Sequence, residues 1–100
     1  MSEIDPTPAA EARERVERGA LLVDVRSDAG RAADGEIAGA TVVLKDDVAA
    51  FAETLDPGRE IVLFCGTTAG SGLVADYLVG RGFVAVSHVD GGFAALSAAL

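Results

Sequence analysis

A chain of 100 residues, half of them hydrophobic, is the size of one domain, and folding hides roughly 60 to 68% of the surface that such a chain exposes when unfolded. A net charge of −8, from 16 acids and 8 bases, argues against nucleic acid as a partner, and the one basic grouping, Arg13, Arg15 and Arg18, alternates with glutamates. No apolar run approaches the ~20 residues that cross a bilayer, which excludes a membrane partner, and the acidic start MSEIDPTPAAEA lacks the basic and apolar regions of a secretory signal, so the expected location is cytoplasmic.

The single cysteine, Cys65, has no partner for an internal disulfide. With one histidine, His88, far from it in sequence, there is no ligand set for zinc or an iron–sulfur cluster. The thiol is therefore free, which suits a reducing compartment. The acid excess reads as a solvated surface that keeps the protein soluble, or else as a mild bias toward basic partners and against small anions.

Residues 8–18, PAAEARERVER, open with a proline suited to a first helical position and stop at Gly19, which predicts a short amphipathic helix. ALLVDVR, residues 20–26, is a continuous apolar run closed by Asp24 and Arg26, the pattern of a strand buried on both faces of a parallel sheet. SDAGRAADGEIAGA, residues 27–40, is small, polar and turn-rich, and reads mostly as connection with room for one helical turn. TVVL, residues 41–44, is a second, shorter strand. DDVAAFAETLDPG, residues 46–58, has two acidic cap candidates, places Val48, Phe51 and Leu55 on one helical face and stops at Pro57-Gly58.

EIVLFC, residues 60–65, is the most hydrophobic strand candidate. SGLVADYLVGRG, residues 71–82, is the helix after it, with Leu73, Val74, Tyr77 and Leu78 as its apolar stripe. FVAVSHV, residues 83–89, reads as a strand and GGFAALSAAL, residues 91–100, as a closing helix. Strands alternating with helices predict an α/β fold around a mainly parallel sheet covered on both faces, with ligands gathering at the carboxyl ends of the strands.

A cysteine after an apolar run is ordinarily a small buried hydrophobe. Cys65, however, closes a strand, and Gly66, Thr67, Thr68, Ala69 and Gly70 read as a short loop before a helix opening at Ser71. Such a loop can curl its backbone N–H groups inward as a cradle for negative charge at the positive end of the helix. A thiolate, or a group bonded to it, is the anion this cradle would hold. Thr67 and Thr68 either donate hydroxyl hydrogen bonds to that anion or bond locally to the backbone. His88 shows no sign of facing Cys65 and reads as a surface or core histidine, with Arg59 and Arg81 solvated.

Four stretches in order, LLVDVR (21–26), GEIAGA (35–40), IVLFCGTTAGSG (61–72) and GFVAVSHVDGGFAAL (82–96), resemble the signatures of the rhodanese-like domains, a sulfurtransferase family whose catalytic cysteine carries a persulfide. The likeness spans nearly the whole chain. It implies a three-layer α/β/α domain, catalysis by Cys65, a persulfide-binding loop from Gly66 to Ser71, and a structural pair, Asp24 and Arg26, that shapes the site. The implied partners are a sulfane sulfur donor, thiosulfate or another protein's persulfide, and a thiol acceptor. No metal or organic cofactor is implied.

The departures from the family pattern are specific. Gly66 and Gly70 stand where the common sulfurtransferase loop has basic residues, and Glu36, Ala38 and Leu96 replace a histidine, a proline and a tryptophan. Without those two cations, affinity for thiosulfate is expected to be poor, each charge-assisted hydrogen bond contributing about 1.5 to 3 kcal/mol. Three readings follow: a sulfurtransferase or sulfur carrier, a non-catalytic module of the same fold, and a redox-sensing thiol. Phosphatases related to the fold need an arginine where this chain has Ser71, which argues against that chemistry.

Overall fold

The computed structural model describes residues 4–100. Its two longest strands, β1 (Leu21–Asp24) and β3 (Ile61–Phe64), are the two apolar runs, and they pair in parallel with Leu21 opposite Ile61 and Asp24 opposite Phe64. β2 (Thr41–Val42) lies outside β1 and β4 (Val86–His88) outside β3, so the all-parallel sheet runs β2-β1-β3-β4. The N-terminal segment covers the β4 edge: the Thr7 N–H donates to the His88 carbonyl at 2.8 Å and the Asp90 N–H to the Thr7 carbonyl at 2.8 Å. At the opposite edge, β2 is two residues long, too short to template another strand.

Side chains alternate along the strands and build a core on each face. Val23, Ile61 and Leu63 pack with Val48, Val74, Leu78 and Phe83, under α3 (Val48–Ala52) and α4 (Thr68–Gly80). Leu22, Val62 and Phe64 pack with Ala12, Val89 and Leu96, under α1 (Ala9–Glu17) and α5 (Gly92–Ala99). All four β3 side chains are buried, each contributing about 1.5 to 3 kcal/mol from water exclusion. This is the expected α/β architecture, with helices on both faces of a parallel sheet.

Several boundaries differ from the sequence reading, each for a local reason. The connection after β1 holds a two-turn helix, α2 (Asp28–Asp34), capped by the Ser27 hydroxyl, which accepts from the Gly30 N–H; none of its residues is buried, so no apolar periodicity announced it. The helix expected over 46–58 is only α3, entered through a 3-10 turn at Lys45–Asp47. It ends early because Thr54 and Leu55 donate back three residues, to Phe51 and Ala52, tightening the chain. The last strand begins at Val86, because Phe83 completes the end of α4, its N–H on the Leu78 carbonyl at 3.1 Å.

Helix α4 begins three residues earlier than its apolar pattern suggests, and the anticipated stripe is corrected too. Val74 and Leu78 are buried, but Leu73 and Tyr77 are 63% and 40% exposed, and Ser71, Gly72 and Ala75 take the inward places.

Candidate active site

β3 is a central strand, so its carboxyl end delivers Cys65 to the middle of the sheet's upper edge. The residue is 8% exposed, and the Phe93 N–H donates to its carbonyl at 2.8 Å. Only Gly66 and Thr67 separate Cys65 from α4, which corrects the five-residue loop read from the sequence. Thr67 is the N-cap: its Oγ1 accepts from the Gly70 N–H at 3.1 Å. Thr68 Oγ1 accepts from the Gly91 N–H at 2.8 Å, tying the head of α4 to the turn before α5. Thr67 therefore bonds locally, whereas Thr68 accepts from a residue 23 positions along the chain, and in both the oxygen is the acceptor. Among the described residues, the N–H groups of Gly66, Thr67, Thr68 and Ala69 have no acceptor. These donors sit at the positive end of a 13-residue helix, beside the thiol.

Two glycines fix how closely other parts of the chain approach Cys65. A Cβ on Gly92 would lie 2.6 Å from the Cys65 carbonyl oxygen and 3.0 Å from the Gly66 carbonyl, so the turn before α5 is pressed against the backbone that holds the thiol. Gly92 also has φ +62°, a conformation that favours glycine. A Cβ on Gly70 would lie 2.8 Å from Cys65 Sγ and 3.1 Å from Lys45 Nζ. Both distances run from that one point, so Nζ and Sγ are within about 6 Å of each other.

Lys45 thus reaches the thiol from the turn after β2. It is exposed and joins no ion pair among the described residues. It lines a cleft of about 320 Å³ with Val25, Arg26, Ser27 and Asp28, and a more apolar one of about 280 Å³ with Val48, Leu73 and Tyr77. Cys65 lines neither of these two clefts.

Asp24 and Arg26 form the floor of the site. Both are buried, and Arg26 Nη2 donates to Asp24 Oδ2 at 2.7 Å while its Nε and backbone N–H reach Oδ1 at 3.0 Å. The guanidinium lies 4.2 Å from the centroid of the Phe93 ring and 5.4 Å from that of Phe64. Hydrogen bonds to Asp24 hold its pKa above the ordinary arginine value, against the opposing effect of burial. The pair locks the end of β1 against Phe64, which precedes Cys65, and Phe93 in the first turn of α5.

Ser71 and His88 are buried and in contact with each other. His88 Nε2 donates to the Ile4 carbonyl at 3.0 Å and its Nδ1 lies 3.2 Å from Ser71 Oγ, whose hydroxyl also reaches the Thr68 carbonyl at 3.2 Å. His88 is a core histidine bonded on both sides, 1% exposed. Arg59 and Arg81 are exposed, Arg59 donating to the Gly19 carbonyl at 2.7 Å.

The sequence profile of the rhodanese-like domain matches residues 8–99. The chain belongs to this family. Two curated relatives are Pseudomonas proteins named thiosulfate sulfurtransferase GlpE. The one from P. putida strain GB-1 is 42% identical and the one from P. fluorescens strain SBW25 is 37% identical, each alignment covering 93% of this chain and 84% of the relative. Among solved structures, reduced CoADR-RHD of Bacillus anthracis superposes with a TM-score of 0.82 at 27% identity, over 97% of this chain and 17% of that longer one.

Within this rhodanese-like domain, the structure brings Cys65, residues 66–70 and the Asp24–Arg26 pair to one end of the sheet, and turns the Ser71 side chain inward. Lys45 is a neighbour of the thiol that the sequence reading did not single out. Its one signal is that it is the first cation after β2, on the side of the sheet edge where the strands end.

Proposed function

We propose that the protein is a sulfurtransferase in which the Cys65 thiolate is the sulfur acceptor. Its thiolate attacks the sulfane sulfur of the donor; for thiosulfate a new S–S bond forms, the sulfur–sulfur bond of the donor breaks and sulfite leaves with the bonding pair. The product, Cys65–S–S⁻, carries its charge beside the unpartnered N–H groups of residues 66–69. An acceptor thiolate or cyanide then takes the outer sulfur, and the cysteine thiolate is regenerated. The single observation behind this reading is the free thiol at the head of α4, framed by backbone donors that no group among the described residues accepts from.

The GlpE relatives support thiosulfate as a donor class, and the small loop leaves access for a protein persulfide as well. A lone free cysteine and the absence of any membrane-length apolar helix among the described residues are compatible with the cytoplasm. Intact-mass spectrometry tests the reading: incubation with thiosulfate or a protein persulfide adds one sulfur atom to the wild type and none to Cys65→Ser. A wild type that stays unmodified by either donor, while its thiol remains free to alkylate, would establish a non-catalytic module instead.

A further inference from the structure

We propose that Lys45 supplies the cation that draws an anionic sulfur donor onto Cys65, a role that Gly70 makes possible by having no side chain. The inference deepens the assignment of Cys65 as sulfur acceptor and depends on it for its biological meaning. The chemistry calls for positive charge at this point. Thiosulfate is a dianion, the attacking thiolate and the persulfide are anions, and the protein as a whole carries −8. Backbone N–H groups offer dipoles but no net charge, and neither Gly66 nor Gly70 can bring one.

The other cations near the site are paired with acids, although Arg26 Nη1 has no hydrogen-bond partner among the described residues. Arg26 is buried against Asp24, and Arg31 pairs with Asp28 and Glu36. Lys45 is unpaired among the described residues although Asp46 and Asp47 follow it directly, and its Nζ stands within about 6 Å of Sγ. A donor atom approaching the thiol in that interval meets the ammonium and the thiolate together. Gly70 is the other half of the device, because a Cβ there would lie 2.8 Å from Sγ, closer than carbon approaches it, and 3.1 Å from Nζ, a tight contact, so one or both would have to shift. The missing loop side chain is the space through which a lysine from a different strand's turn reaches the sulfur.

The experiment compares two alkylating agents on Cys65, anionic iodoacetate and neutral iodoacetamide, and takes the ratio of their rates. The ratio cancels the thiolate fraction and any general change in thiol access, so it reads local charge. At an ionic strength near 0.01 M, where the Debye length is about 30 Å, Lys45→Gln is expected to lower the ratio at least about threefold, the Coulomb effect of one charge at about 6 Å in water. Lys45→Arg should keep most of the ratio, and Arg81→Gln, an equal charge change at the far end of α4, should leave it unaltered. In parallel, Lys45→Gln should raise KM for thiosulfate roughly tenfold with a smaller change in kcat.

A ratio unchanged in Lys45→Gln, or lowered equally by Arg81→Gln, overturns the proposal. The sulfurtransferase reading fails separately: if the ratio responds to Lys45 but no donor adds sulfur to the wild type, the anion site stands and the transfer reaction does not. Gly70→Ala gives a second, independent probe, because its methyl group crowds both Sγ and Nζ and should displace the ammonium, lowering the ratio with Lys45 still present.

Discussion

Replacing Gly92 by alanine tests whether the turn before α5 positions Cys65 or merely lies near it. The φ of +62° costs a residue with a Cβ about 1 to 2 kcal/mol. The new methyl group would lie 2.6 Å from the Cys65 carbonyl oxygen, and a tolerable carbon–oxygen contact is about 3.3 Å, so the two turns must separate by about 0.7 Å. That separation stretches the 2.8 Å bond from the Phe93 N–H to the Cys65 carbonyl out of hydrogen-bond range, a loss of about 0.5 to 1.5 kcal/mol. Overpacking adds about 1 to 3 kcal/mol. The expected destabilisation is thus about 3 to 6 kcal/mol. Gly82→Ala is the matched control, since Gly82 has φ +96° but nothing within 4 Å of an added Cβ, and it should cost only the backbone strain. In thermal melts followed by circular dichroism, Gly92→Ala should fall below Gly82→Ala by about 10 to 30 °C. At a temperature where both are folded, only Gly92→Ala should change the rate at which iodoacetamide modifies Cys65. Equal melting temperatures for the two variants, with a wild-type alkylation rate in both, would refute the argument that this contact positions the thiol.

Arg26→Met should destabilise by about 3 to 5 kcal/mol in urea titrations, because it strands Asp24 at 1% exposure, and Asp24→Leu combined with Arg26→Met should recover most of that loss. The folded pKa of Arg26 is raised, so its stabilising charge is complete below the unfolded value and is lost only as pH rises through the higher folded one; the wild type should show no loss from this group between about pH 6 and about pH 9. Thr68→Val removes the acceptor of the Gly91 N–H and should cost about 1 kcal/mol in stability while speeding hydrogen exchange at Gly91. The persulfide test with Cys65→Ser and the alkylation ratio with Lys45→Gln complete the set.

The strands were readable in the sequence because burial on both faces leaves unbroken apolar runs: IVLF at 61–64 is buried at all four positions. Asp24 and Arg26 were expected as a pair only through the family resemblance, and the structure buries them together at the end of β1. What stayed hidden was structure without a hydrophobic signature. α2 buries nothing and is held by a serine cap and the Arg31 contacts with Asp28 and Glu36. The start of α4 was hidden as well, because its first turn is Thr68, Ala69 and Gly70, whose helical state depends on a cap from Thr67 and not on apolar spacing. In the same helix, Leu73 and Tyr77 satisfied the helical period yet point outward, since the sheet is met by the small face of Ser71, Gly72 and Ala75.

Lys45 was illegible for a different reason. Its nearness to Cys65 follows from sheet order: β1 stands between β2 and β3, so the turn leaving β2 passes the end of one strand to reach the thiol. Nothing local at residue 45 or at residue 70 encodes that meeting. A sequence comparison confined to the cysteine loop records two losses of charge, at Gly66 and Gly70, and predicts a poor anion site. In the folded chain, the second of these changes opens the space that a lysine 25 residues upstream reaches, so loss at one position and gain at another belong to a single arrangement. That arrangement also constrains substitution. Restoring a large basic side chain at residue 70 would drive its own Cβ into the thiol and the ammonium before its charge reached any donor, so Gly70→Arg should not behave as a gain of function while Lys45 is in place. The anion site of this domain is set by the pair, and either residue changed alone should weaken it.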